Sequence, residues 1–66
     1  MTVTVNGKPH TLTDGTPLAA LIEQLNFGPK RLAVEVNKEL VTRAEWPQCI
    51  LKDGDTIEIV SFVGGG

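Results

Sequence analysis

The sequence predicts an α+β domain in which one main helix packs on one face of a mixed sheet of four to five strands, leaving the other face open. Three observations predict this class. Two strand-like segments flank Asn6-Gly7, one amphipathic helical segment follows them, and three further strand-like segments complete the chain. With 66 residues the chain has room for one domain, which we assign to residues 1–62, followed by a tail at residues 63–66.

The opening segments are typical of a β-hairpin. Asn6-Gly7 is the pair that best accepts the two positive φ angles of a type I′ turn. Alternation directs Val3 and Val5 toward the core. Pro9 cannot donate a hydrogen bond to a neighbouring strand, so the second strand is expected at an edge of the sheet.

The helical segment has recognisable ends. We expect Thr16 to be the N-cap and Pro17 to be the first helical residue. Gly28, followed by Pro29, is expected to provide the left-handed conformation that ends the helix. Four apolar residues recur at i, i+3, i+4 and i+7 and predict the face that packs on the sheet: Leu18, Leu21, Ile22 and Leu25.

The remaining segments alternate between apolar and polar residues. Residues 32–36 predict a half-buried strand, and Leu40-Val41 predict a short one. Thr42 is positioned to cap a single helical turn before Pro47. A tight turn at residues 52–55 leads into the last strand, at residues 56–62.

The last strand has more apolar residues than one buried face requires. If Ile57 and Ile59 face the core, Glu58, Val60 and Phe62 lie on the open face. Exposed apolar side chains beside Ala33 and Glu35 would form a partner-docking face, which we assign to five residues: Glu58, Val60, Phe62, Ala33 and Glu35. The alternative is a bulge near Ser61 that turns Phe62 inward.

The glycine tail directly follows the last strand. Gly64, Gly65 and Gly66 have no side chains to pack, but they allow a thin segment to enter a slot too narrow for other residues. Fully extended, residues 63–66 reach at most about 14 Å, enough to place the carboxylate of Gly66 in a partner's active site. The alternatives are a frayed end or an expression scar.

Composition narrows the function classes. The net charge is −2, and the basic residues are scattered apart from Lys30-Arg31, which argues against nucleic acid as a partner. A single Cys49 and a single His10 cannot supply a zinc site. The sequence has no signal peptide and no membrane-spanning stretch, so we expect a cytoplasmic protein without a membrane partner. We also expect the protein to be a monomer on its own. A deep catalytic pocket is hard to build in a domain of this size, so we expect the protein to be a substrate or partner of enzymes and not to be an enzyme itself.

Other candidate residues have structural alternatives. Cys49 could carry sulfur as a persulfide, but a small buried apolar role is the commoner one for an unpaired cysteine. Trp46 could fill the core or anchor an interface. His10 is expected to be a surface residue. Lys30-Arg31 could meet an acidic patch on a partner or remain solvated.

The chain resembles the β-grasp sulfur carrier proteins of thiamine biosynthesis, which are relatives of ubiquitin and of the small subunit of molybdopterin synthase. The resemblance spans nearly the whole sequence. It departs from the family pattern at Lys38, where glycine is common, and at Thr42, where proline is frequent. The matching stretches are Asn6-Gly7 and residues 33–37, 43–46, 53–55, 57–59 and 62–66.

The resemblance implies a function for the tail. A ubiquitin-activating-enzyme-like adenylyltransferase would use ATP to adenylate the carboxylate of Gly66, a sulfur donor protein would convert it to a thiocarboxylate, and thiazole synthase would accept the sulfur. The carrier itself would have no catalytic residue and no permanently bound cofactor or metal. Two alternatives stay open: a sulfur carrier of the molybdopterin pathway, and a β-grasp interaction module with a passive tail.

Overall fold

A mixed sheet forms the frame of the protein, which a computed structural model describes over residues 1–62. The strand order is β2-β1-β5-β3-β4, with β1 and β5 parallel and the other neighbours antiparallel. The expected α+β class is therefore confirmed. The described elements, in chain order, are β1 (Thr2–Val5), β2 (Lys8–Thr11), α1 (Leu18–Leu25), β3 (Arg31–Val36), β4 (Glu39–Val41), a 3-10 helix (Arg43–Gln48) and β5 (Thr56–Phe62).

The opening hairpin has the predicted turn. Asn6 and Gly7 both have positive φ, at 48° and 83°, as a type I′ turn requires. Pro9 lies in β2 opposite Thr4, and β2 is an edge strand of the sheet. The missing N–H of Pro9 therefore interrupts no interior ladder.

The last strand lies at the centre of the sheet. β5 runs parallel to β1 on one side and antiparallel to β3 on the other. Its pairing with β3 is continuous from Val36 opposite Ile57 to Arg31 opposite Phe62. The alternative of a bulge near Ser61 is therefore wrong, because Ser61 pairs in register with Leu32 and the next residue remains on the open face.

The core lies between the sheet and α1. Leu18 and Leu21 are fully buried on the predicted helix face, Ile22 is buried beside them, and Leu25 is partly buried at its edge. From the strands and loops, seven further apolar residues complete the core: Val3, Val5, Val34, Ile57, Ile59, Leu12 and Leu51. Trp46 is also buried here, so the core interpretation of this residue is correct.

Both predicted ends of α1 require correction. The N-cap is Pro17, not Thr16, and the helix begins at Leu18. Pro17 stays extended because it forms an antiparallel bridge with Ile50, while the hydroxyl of Thr16 donates a hydrogen bond to the carbonyl of Thr13. At the other end the left-handed C-cap is Asn26, although Gly28 also has positive φ.

Thr42 is the N-cap of the 3-10 helix, as predicted, but the helix does not end before Pro47: it begins at Arg43 and continues through Pro47 to Gln48. Thr42 also ties the start of this helix to Glu45. Its backbone N–H and its hydroxyl both donate hydrogen bonds to Oε1 of Glu45, at 2.9 and 2.8 Å. Trp46 in this helix donates from Nε1 to the carbonyl of Val41 at 3.0 Å. Together these bonds hold the segment that connects β4 to β5.

Among residues 1–62, neither helix has the length and apolar character needed to span a membrane.

Candidate functional site

The predicted docking residues lie together on the face of the sheet opposite α1, called the open face below. The register places Ala33 of β3 directly opposite Val60 of β5, and Glu35 directly opposite Glu58. Phe62 follows on the same face, opposite Arg31. These are neighbouring positions on two paired strands, so one partner surface could contact all of them.

Exposure distinguishes these residues from the core. Val60 is 57% exposed and Phe62 is 47% exposed, whereas Ile57 and Ile59 of the same strand are buried. The alternation predicted for the last strand is therefore confirmed. Exposed apolar side chains that share one sheet face are typical of a surface that a partner covers.

One member of the open face was missed in the sequence. Leu40 of β4 is 66% exposed and lies opposite Glu35, so it extends the face across a third strand. Its neighbour Val41 is partly buried and pairs with core residue Val34. In an alternating strand the neighbour of a core residue must point to the open face.

Two asparagines hold the last strand in place. The side-chain amide of Asn6 donates to the carbonyl of Ile59 at 3.0 Å and accepts from its N–H at 2.7 Å. The amide of Asn37 accepts from the N–H of Thr56 and donates to Oδ1 of Asp55, both at 2.9 Å. β5 is therefore fixed at its start and near its middle.

The turn before the last strand is also tied down by side chains. Oδ1 of Asp53 accepts a hydrogen bond from the N–H of Thr2 at 2.7 Å. Oδ2 of Asp55 accepts from the N–H of Lys52 at 2.8 Å. The tight turn predicted at residues 52–55 is therefore confirmed: Asp55 closes it, and Asp53 ties it to β1.

The predicted tail follows this fixed strand. Val63, Gly64, Gly65 and Gly66 lie outside the described residues, and so does the predicted modification site at Gly66. The described chain reaches Phe62, the last residue of β5. In sequence the tail therefore begins immediately after the docking residues.

Cys49, the rival sulfur site, is partly buried in a surface groove of about 570 Å³. Burial, together with the negative charges of Asp55 and Glu45, raises the pKa of its thiol. The thiolate is the nucleophilic form of cysteine, so a raised pKa disfavours a persulfide site here.

No candidate metal centre competes with the open face in residues 1–62. This part of the chain contains no group of three or more His, Cys, Asp or Glu side chains placed to hold a metal ion. His10 is partly exposed in edge strand β2, in register with Val3. Lys30 and Arg31 are both exposed, and Arg31 is on the open face. The described geometry is suited to docking another protein.

Comparisons with known proteins agree with this geometry. Residues 3–66 match the profile of the ThiS family. The whole chain is 42% identical to part of a thiazole synthase from Magnetococcus marinus, and it spans about a fifth of the length of that protein. It is 36% identical, over 97% of its own length and 98% of the relative's, to the sulfur carrier protein ThiS of Thermus thermophilus.

A solved structure extends the likeness to three dimensions. The fold matches the crystal structure of the thiamine biosynthesis protein ThiS from Geobacter metallireducens with a TM-score of 0.83 and 35% sequence identity, over the full length of both chains. The ubiquitin-like β-grasp fold implied by the resemblance is therefore confirmed. The family match, the full-length relatives and the shared fold lead to one assignment: this chain belongs to the ThiS family.

Proposed function

We propose that this chain is a sulfur carrier of thiamine biosynthesis and that the carboxylate of Gly66 is the group that carries the sulfur. The observation that supports this most strongly is that the family match extends through residue 66, so it includes the glycines as well as the folded domain. Relatives of nearly equal length are named sulfur carrier proteins. The central position of β5, whose sequence runs into the tail, fits a domain that presents its own end.

The first proposed step activates the carboxylate. An α-carboxylate has a pKa of about 3.5, so at neutral pH it is an anion that resists nucleophilic attack. One oxygen of Gly66 attacks the α-phosphorus of ATP, forming an acyl-adenylate and releasing pyrophosphate. This reaction occurs in an adenylyltransferase that resembles ubiquitin-activating enzymes. AMP is then the leaving group that the carboxylate lacked.

The second proposed step introduces sulfur. A sulfide equivalent from a sulfur donor protein attacks the acyl carbon and displaces AMP, leaving a thiocarboxylate on Gly66. Thiazole synthase then accepts the sulfur. Two thiazole synthases that each contain a segment similar to this whole chain support that partnership. The need for ATP supports a location in the cytoplasm, and we propose that the carrier is a monomer between encounters.

The chain contributes recognition to this cycle, while the enzymes contribute catalysis. Glu58, Val60 and Phe62 on β5, with Ala33 and Glu35 on β3, provide the docking face. The donors that stabilise charge on the reacting carbonyl come from the enclosing enzyme. Ordering each tail residue costs about 1–2 kcal/mol of backbone entropy, which contacts of the docked face and tail offset.

Deletion of the last two residues tests the proposal. A chain ending at Gly64 keeps residues 1–62, so its urea midpoint should match that of the parent. It should still bind the adenylyltransferase and form no thiocarboxylate. A passive interaction module, in contrast, would retain its full activity after this deletion.

The choice of pathway needs a second assay. Thiocarboxylated carrier should support thiazole formation with thiazole synthase and should not restore molybdopterin formation with the large subunit of molybdopterin synthase. The opposite pattern would assign the chain to the molybdopterin pathway. Activity with neither synthase would contradict the proposed function.

A further inference from the structure

Two carboxylates face each other at the centre of the open face. Glu35 of β3 and Glu58 of β5 are register partners, and both side chains are exposed. Within residues 1–62 no lysine, arginine or histidine nitrogen lies within 4.0 Å of either carboxylate. Neither carboxylate accepts a hydrogen bond from another residue in that part of the protein.

This arrangement does not stabilise the fold. Like charges on directly opposed residues of paired strands repel each other. The nearest basic residue on the same face of β3 is Arg31, four positions from Glu35, or roughly 13 Å along the strand. At that distance and at physiological salt, Arg31 does little to neutralise the pair.

Exposed apolar side chains flank the two carboxylates. Leu40 lies beside Glu35 on β4, and Val60 is the next residue on the open face after Glu58. Both are more than half exposed. A partner that covers these apolar groups would also remove water from the carboxylates, which strengthens their attraction for a cation. The two carboxylates and the two apolar side chains beside them are together called the acidic patch below: Glu35, Glu58, Leu40 and Val60.

We propose that the acidic patch receives an arginine or lysine side chain of the enzyme that adenylates Gly66, inserted between the two carboxylates and surrounded by apolar contacts. This inference rests on the proposed function. The occupant follows from position: Val60 is six residues from Gly66, so an enzyme that holds the carboxylate of Gly66 lies within about 20 Å of this part of β5. A cation is the complement of two opposed carboxylates, and an arginine could bind both at once.

The test measures binding of the full-length carrier to the adenylyltransferase of the same organism by calorimetry, at low and at physiological salt. Glu35→Gln and Glu58→Gln keep the size of the side chain and remove one charge each. Glu23→Gln on α1 is the matched control, because Glu23 is exposed on the opposite side of the molecule. We expect each patch variant to raise Kd at least about tenfold and to reduce the salt dependence of binding, and we expect the control to leave both unchanged.

A stability measurement separates docking from folding. The double variant Glu35→Gln with Glu58→Gln should keep or raise the urea midpoint, because it removes repulsion between like charges. A lowered midpoint would assign the pair a structural role and overturn the inference. Equal Kd values for parent, patch variants and control would also overturn it, as would a parent that does not bind.

Failure of this inference and failure of the proposed function give different results. Formation of the thiocarboxylate is followed by mass, independently of Kd. If the parent is thiocarboxylated and the patch variants bind as tightly as the parent, only the inference fails. If binding depends on the patch and the parent never acquires sulfur, the docking inference survives and the proposed function fails.

Discussion

Asn6 forms two hydrogen bonds with the backbone of Ile59, a residue 53 positions later in the chain. Nδ2 donates to the carbonyl oxygen at 3.0 Å, and Oδ1 accepts from the N–H at 2.7 Å. The side chain therefore continues, beyond the end of β1, the pairing that β1 makes with β5. The backbone of Asn6 also has a positive φ, which asparagine tolerates better than most residues.

Asn6→Ala is expected to destabilise the protein by about 1–3 kcal/mol, because two partly buried backbone groups lose their partner and alanine is less tolerant of positive φ. Urea unfolding should show a lower midpoint with an unchanged slope. Asn26→Ala is the matched control: Asn26 has a similar φ of 54° and no side-chain hydrogen bond within the described chain. An equal loss of stability in the two variants would show that the hydrogen bonds to Ile59 contribute nothing to stability.

Glu45→Gln is expected to lower the urea midpoint at neutral pH. Hydrogen bonds from the backbone N–H and then the hydroxyl of Thr42 lower the pKa of this carboxyl. A lowered folded-state pKa gives stability that is fully present above the ordinary glutamate pKa and is lost as pH falls through the lowered value. The difference between parent and variant should therefore shrink on acidification. A difference that stays constant from neutral pH to pH 3 would contradict the assignment.

Val60→Ser should weaken binding to the adenylyltransferase about tenfold, since docking removes the apolar valine side chain from water and burying it fully is worth about 1.5 kcal/mol or more. Its urea midpoint should change little, because the side chain is mostly exposed. Ile50→Ser is the control, as Ile50 is 51% exposed but lies outside the open face. If both variants weaken binding equally, general hydrophobicity accounts for the effect and the open face does not.

Gly65→Val should abolish adenylation and leave the urea midpoint unchanged, because the added side chain would clash only in the enzyme's slot. Gly28→Ala should show the reverse. Gly28 has a φ of +72° with open space around it, so alanine costs about 1 kcal/mol of stability without touching the tail. Adenylation of the Gly65→Val protein at the parent rate would contradict a narrow slot.

Cys49→Ala should retain sulfur transfer. The raised pKa of the thiol keeps it protonated at neutral pH, and a protonated thiol is a poor sulfur acceptor. Incubation with adenylyltransferase, ATP and sulfur donor should yield thiocarboxylate at the parent rate. Loss of transfer by a variant that still binds the enzyme would make Cys49 the carrier site.

Much of the fold could be predicted from the sequence because local chemistry and tertiary structure agree. Asn6-Gly7 has the φ angles that its turn requires, and the alternation of residues 56–62 gave the correct face to Val60 and Phe62. Capping by Thr42 was recognisable because the two residues that form the cap, Thr42 and Glu45, lie within four residues of the chain.

Two of the predictions failed because the deciding contact lies outside the segment concerned. The helix was expected to begin at Pro17, but bridging to Ile50, 33 residues later in sequence, keeps Pro17 extended. Leu40 was not assigned to the docking face because a strand of two predicted residues gives no reliable alternation; its pairing with Glu35 fixes its direction. The hydrogen bond from Asn6 to Ile59 joins residues 53 positions apart, so no local sequence pattern predicts it.

Intact mass with fragmentation tests the central claim most directly. The protein is incubated with the adenylyltransferase, ATP and the sulfur donor, and the mass of the whole chain and of its terminal fragments is measured. We expect the exchange of one oxygen for one sulfur, confined to Gly66. An unmodified Gly66, or sulfur located on Cys49, would contradict it.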